Sequence, residues 1–156
     1  MNIGELMQHH VHSCHADDTL HDAARLMWDH AVGALPVLNR DGYVVGFLTD
    51  RDVAMGAYTT GRALATIRVA DSMSKSAVTC HAHQDVGEAE LLMREHRVRR
   101  LPVVDDAGRL VGLVSLDDIA RHVVFGFDGA AGPLGGDTIA MTLASASERP
   151  PAAPVH

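Results

Sequence analysis

VGALPVLNRDGYVVGFLTDRDVA, residues 32–54, returns as VRRLPVVDDAGRLVGLVSLDDIA at residues 98–120. The offset of 66 residues holds without a gap from Ile3-Gly4-Glu5-Leu6-Met7 against Val69-Ala70-Asp71-Ser72-Met73 to Asp52-Val53-Ala54 against Asp118-Ile119-Ala120. Met7, Cys14, His15, Ala23, Leu26, Met27, Leu35, Pro36, Val37, Gly42, Val45, Gly46 and Asp52 all recur in the second copy. Self-similarity at a fixed period marks one structural unit used twice. A unit of about 60 residues makes a marginal core alone, so each copy must bury against the other. Two copies imply pseudo-two-fold symmetry, with any site made in duplicate near the axis.

Each copy reads as strand, helix, strand, strand, helix. In the first, Asp18 or Thr19 caps a helix whose Leu20, Ala23, Ala24, Met27, Trp28 and Ala31 form an apolar stripe at helical spacing; Val86, Ala89, Leu92 and Met93 answer in the second. Residues 34–38 and 43–48 read as strands joined through Asn39-Arg40-Asp41-Gly42, where Asp-Gly is a hairpin signal, and Asp105-Asp106-Ala107-Gly108 serves the same turn later. Pro36 and Pro102 have no N–H to give a ladder, so each belongs at a strand start, an edge, or a point where backbone turns toward something else. The second helices start at Thr49-Asp50-Arg51-Asp52 and Ser115-Leu116-Asp117-Asp118, each an N-cap residue with carboxylates in the first turn, and run to about Tyr58 and Val124.

The expected fold class is therefore α/β (α+β): two β-α-β-β-α repeats, residues 1–58 and 69–125, packed as a pseudo-two-fold module. Residues 59–68 form a linker, and the Gly-, Ala-, Pro- and Ser-rich residues 126–156 read as a disordered tail whose apolar island is Ile139-Ala140-Met141-Thr142-Leu143.

At 156 residues and 47% hydrophobic, the chain has room for one compact domain and too little for a large catalytic domain besides. Its longest apolar runs fall far short of a membrane span, and MNIGELMQHH has neither the basic nor the apolar segment of an export signal, so a cytoplasmic location is expected. A net charge of −7 argues against a nucleic-acid surface, since the only concentrated basic stretch is Arg94, Arg97, Arg99 and Arg100. Cys14 and Cys80 hold equivalent positions without a CxxC pairing and read as reduced, buried thiols.

The doubled string, with its lead-ins I-G-E-L-M and V-A-D-S-M, its LPV strands, its Gly turns and the G-x-x-[ST]-x-x-D segment closing each copy, resembles paired cystathionine beta-synthase (CBS) domains over roughly residues 1–124. That resemblance implies a stand-alone pair whose two equivalent clefts bind adenosine-containing ligands, and which associates with a second pair into a homodimer. It implies a regulator of a partner protein, not an enzyme, needing no cofactor beyond an adenine nucleotide acting as a signal. It assigns the ribose to Asp52 or Asp118, and phosphate or ribose oxygen to Thr49 or Ser115. Ser13 and Thr79, with the strand-edge backbone at Ala34, Pro36, Arg100 and Pro102, would line the adenine pocket.

The residues themselves are compatible with this. A helix N-terminus offers unpaired N–H groups to an anion, and a carboxylate one turn in can accept both ribose hydroxyls. The same Thr or Ser with Asp three residues on also caps a helix with no ligand present. Arg99-Arg100 replaces Gly33-Ala34 of the first copy. In the family, basic residues before this strand approach ligand phosphates, and Arg51 is a second phosphate candidate; the alternative is a solvated pair, or ion pairs to Asp105 and Asp106. Two readings compete: a structural protein-interaction module with empty clefts, and a metal-responsive regulator using His12, Cys14, Cys80, His81 and His83, because imidazole and thiolate suit zinc, nickel or copper. No phosphate loop, dinucleotide fingerprint, paired-histidine zinc motif or nucleophile elbow occurs in the sequence.

Overall fold

In the computed structural model, which describes residues 1–125, the first copy forms β1 (Cys14–His15), α1 (Leu20–Asp29), β2 (Ala34–Leu38), β3 (Val44–Thr49) and α2 (Asp50–Thr60). A one-turn helix, α3 (Val69–Ser72), leads into β4 (Cys80–His81), α4 (Val86–His96), β5 (Arg100–Val104), β6 (Leu110–Ser115) and α5 (Leu116–Phe125). The expected tail and its apolar island lie outside the described residues. Each copy builds a three-stranded sheet, β1-β2-β3 or β4-β5-β6, with the first pair parallel and the hairpin antiparallel. The register repeats with the sequence: Cys14 lies opposite Val37 and Cys80 opposite Val103, and both hairpins slip at the same place, between Val37 and Leu38 and between Val103 and Val104.

Local chemistry accounts for the element ends. Gly42 and Gly108 carry the hairpin turns at φ 85° and 83°, a conformation that costs other residues steric strain. Thr19, not Asp18, caps α1, in a reciprocal box with Asp22; Asp85 and Glu88 do the same for α4. The α1 stripe is narrower than the sequence implies. Leu20, Ala23 and Met27 are buried, but Trp28 is 87% exposed, because the residue after Met27 turns about 100° away from the core face. Ala31 lies past the helix end, at φ 52°. Helix α2 runs past Tyr58 to Thr60, where Gly61 supplies a left-handed C-cap at φ 64°.

Each copy completes its core with the other copy's lead-in. Ile3 is buried among Cys80, Val86, Met93, Leu101 and Ile119, whereas Ile67 and Val69 are buried among Cys14, Leu20, Leu35 and Leu48. Backbone bonds fix the exchange: Ile3 N donates to Gln84 O at 2.9 Å and Gly4 N to Ala82 O at 2.9 Å, while Leu20 N donates to Ile67 O at 2.9 Å and Val69 N to Asp18 O at 2.8 Å. The repeated glycine of β3 and β6 now has a reason. A Cβ on Gly46 would sit 2.6 Å from Met73 Sδ and 2.7 Å from Ser74 O, and one on Gly112 would collide with Met7 Sδ. Without side chains there, the lead-ins lie against the sheets and pair as Phe47 with Ser74 and Gln8 with Leu113. The hairpin tips meet as well, through a Tyr43–Arg109 bridge with the guanidinium 6.0 Å from the ring centroid.

Three buried groups carry shifted protons. Cys14 and Cys80 are each 1% exposed, and burial pushes both thiols up from 9.0 to about 12. The folded chain holds those protons more tightly, so their contribution to stability is present below about 9 and is lost as pH climbs toward 12. Glu90, on α4, is 2% exposed, and neither carboxylate oxygen has a hydrogen-bond partner among the described residues. Burial raises its proton affinity, with the Arg94 charge offsetting part of the rise. Its contribution is therefore least unfavourable in acid and worsens as pH rises through the raised value. A Glu90→Met chain, similar in volume, is expected to be more stable than wild type at pH 7.5 by about 1–3 kcal/mol, the usual cost of a buried unsatisfied group. In urea unfolding the gain should shrink at pH 5; equal stability at both pH values would mean the carboxylate is satisfied in solution.

Candidate functional site: two unequal clefts

The two sheets and the exchanged lead-ins leave a pair of clefts. The first, about 160 Å³, is lined by Thr49 and Asp52 at the start of α2, by Val98, Arg100 and Pro102 of the second copy, and by Ser74, Ser76, Ala77 and Val78. The second, about 180 Å³, is lined by Ser115 at the end of β6, by Val32 and Ala34 of the first copy, by Gln8 of the lead-in, and by Asp117 and Arg121 of α5. The linings correspond across the repeat. Thr49 and Ser115, Ser74 and Gln8, Val98 and Val32, Arg100 and Ala34 are each 66 residues apart.

Both [ST]-x-x-D segments are helix caps, as the spacing requires. Thr49 N–H and Oγ1 both donate to Asp52 Oδ2 at 2.8 Å, and the hydroxyl accepts from Asp52 N at 3.2 Å. Ser115 and Asp118 repeat this, at 2.9 Å from the N–H, 2.5 Å from the hydroxyl, and 3.2 Å in return. The two carboxylates differ at the other oxygen. Asp118 Oδ1 accepts from Arg121 Nη2 at 2.5 Å and from Gln8 Nε2 at 3.2 Å, leaving its side chain 10% exposed. Asp52 Oδ1 has no such donor among the described residues, because the corresponding positions hold Met55 and Ser74, one apolar and one too short. Capping and ligand contact are thus compatible in the first cleft, where the cap uses one oxygen and leaves the second open.

Pro102 lines the first cleft and Ala34 the second; Thr79 follows Val78 of the first, while Ser13, Pro36, Arg51 and Arg99 line neither. Arg99 pairs with Asp117 at 3.7 Å, not with Asp105 or Asp106. Asp105 is committed to its own turn, accepting from Ala107 N and Arg109 N at 2.9 Å. Arg51 is exposed, and its N–H donates to Asp50 Oδ1 at 2.7 Å. Arg100 is partly buried, lines both clefts, and has no ion pair or hydrogen bond to its side chain among the described residues. Sequence reasoning missed Gln8, Ser74 and Arg121. The first two directly follow the repeated Met7 and Met73, the one local signal that marked them.

The His/Cys constellation does not converge. Cys14 lies in the first core and Cys80 in the second, both as thiols held far from ionisation. His12 stacks on His30 at 3.6 Å, and His81 on His83 at 5.4 Å, with His81 Nδ1 buried and without a hydrogen-bond partner among the described residues. Among the described residues no three His, Cys, Asp or Glu side chains gather in a ligating arrangement.

Duplicated β-α-β-β-α units with exchanged lead-ins and paired clefts define a tandem α+β module, and comparison with known proteins gives its family. The model of the CBS domain matches twice, at residues 3–56 and 68–124. The chain belongs to the CBS domain family. It is 38% identical over 119 residues to the CBS domain-containing protein YhcV of Bacillus subtilis, covering 76% of this chain and 83% of that one. Among solved structures, the CBS domain pair of protein MJ0100, in complex with 5′-methylthioadenosine and S-adenosyl-L-methionine, is 25% identical with a TM-score of 0.69, over 78% of this chain and 98% of that one. Hypoxic Response Protein I, solved with two coordinated zinc ions, is 34% identical with a TM-score of 0.72, over 78% of this chain and 98% of that one.

Proposed function

We propose that this chain is a regulatory module that senses an adenosine-containing molecule, with the Asp52 cleft as its principal site. The carrying observation is the open oxygen of Asp52, held in place by Thr49 at the mouth of a cleft that Arg100 also lines. A carboxylate fixed through one oxygen presents the other to ribose hydroxyls. Phe47, Val78, Val98 and Pro102 offer apolar walls to a flat base, and Arg100 offers donors to a phosphate. The adenosine ligands of the MJ0100 pair support the choice of ligand class. AMP, ADP, ATP, NAD and S-adenosylmethionine are the candidates, and signalling of the adenylate energy state is the role that the first three would serve.

The walls of this cleft come from both copies, so a ligand that grips both favours whichever relative arrangement it fits better, by its difference in affinity for the two. A cytoplasmic homodimer whose geometry, or whose partner's activity, follows occupancy belongs to the same reading. The exposed Trp28, Met55 and Tyr58 of α1 and α2 support a pairing face. Thermal unfolding with each candidate ligand tests the proposal. At about 100 times its dissociation constant, a true ligand stabilises by about 2.7 kcal/mol and raises Tm by several degrees. No shift with any of the five would refute it.

A further inference from the structure

We propose that the two clefts compete for Arg100, so that a phosphorylated nucleotide in one weakens binding of a second in the same chain. This rests on the nucleotide reading above and adds a regulatory property to it. Arg100 is the one residue common to both linings. Its repeat partner is Ala34, which lines the second cleft with a methyl group, so the pair of clefts has one arginine at this place where strict symmetry would give two.

The neighbouring cations are already engaged. Arg99 is paired with Asp117, and Arg121 with Asp118. Arg51 is exposed and lines neither cleft. Among the described residues, Arg100 therefore carries the only unengaged guanidinium lining either cleft. A guanidinium binds phosphate through a planar fork of two parallel N–H groups. A fork turned into the Thr49 side is turned away from the Ser115 side, and the second phosphate must then settle beside Asp117 without it.

The coupling is specific to the phosphate, which makes it separable from any intrinsic difference between the clefts. Calorimetric titration of the full chain with AMP, and with adenosine as the phosphate-free probe, reads it out. An Ala77→Phe chain fills the first cleft with a ring and leaves the second with sole use of Arg100; Asp52→Ala serves the same end should the larger residue disturb folding. AMP is expected to bind the second cleft of these chains at least about tenfold more tightly than the second AMP binds wild type, equivalent to about 1.4 kcal/mol. Adenosine should show no such difference, and Arg100→Ala should make AMP behave like adenosine. The proposal is overturned if wild type takes two AMP molecules independently or with positive cooperativity, or if the first-cleft variants bind no AMP at all. Failure of wild type to bind either probe would instead remove the nucleotide reading itself.

Discussion

Asp52→Ala is expected to weaken binding of an adenosine ligand by roughly 10- to 100-fold, and Asp118→Ala to leave the tighter site nearly unchanged. The open oxygen of Asp52 is placed to accept charged hydrogen bonds from the ribose, each worth about 1.5–3 kcal/mol, with tenfold in affinity for every 1.4 kcal/mol. Asp118 has spent the equivalent oxygen on Arg121 and Gln8. Both substitutions also remove a helix cap, costing about 1 kcal/mol of stability. Binding must therefore be measured by calorimetry well below the melting temperature of each variant, so that loss of fold is not read as loss of affinity. Asp118→Ala should cost more stability than Asp52→Ala, since it strips partners from Arg121 and Gln8 as well as from Ser115. Equal effects of the two substitutions on the first binding event would show that the clefts are used alike.

Ile3→Ala is expected to cost about 2–5 kcal/mol, as large a loss as truncating any central core residue, although Ile3 lies almost at the start of the chain. The residue is fully buried, and the backbone on either side is tied to the second copy through Gln84 and Ala82. Ile67→Ala should do the same to the first copy. Because each copy holds a piece of the other's core, both variants should unfold in one cooperative transition at a lower urea midpoint. A loss under about 1 kcal/mol, or a split transition, would mean the lead-ins are not integral to the cores.

Much of this architecture was readable from local rules. Asp41-Gly42 gave the turn, Thr49 gave the start of α2, and the period of the repeat gave two sheets of identical register. What escaped depended on partners distant in the chain. A constant offset does not say whether Ile3 fills its own copy's core or the other's, and the answer is set by backbone bonds to residues about 80 positions away. The motif made Asp52 and Asp118 equals; their difference comes from Gln8, 110 residues from Asp118, and from an arginine one helical turn beyond it. Arg99 looked ready to pair with the nearby turn, but Asp105 Oδ1 is held by the backbone of that turn and the carboxylate Arg99 meets is Asp117. Trp28 fell outside the core for a simpler reason: a stripe drawn on six apolar residues was wider than the face α1 buries.

A crystal structure of the chain grown with AMP places the ligand without intermediaries. The expected density has the ribose hydroxyls on Asp52 Oδ1, the base between Val78 and Pro102, and the phosphate on Arg100. Nucleotide seated at Asp118 with the Asp52 cleft empty, or found outside both clefts, would contradict this account.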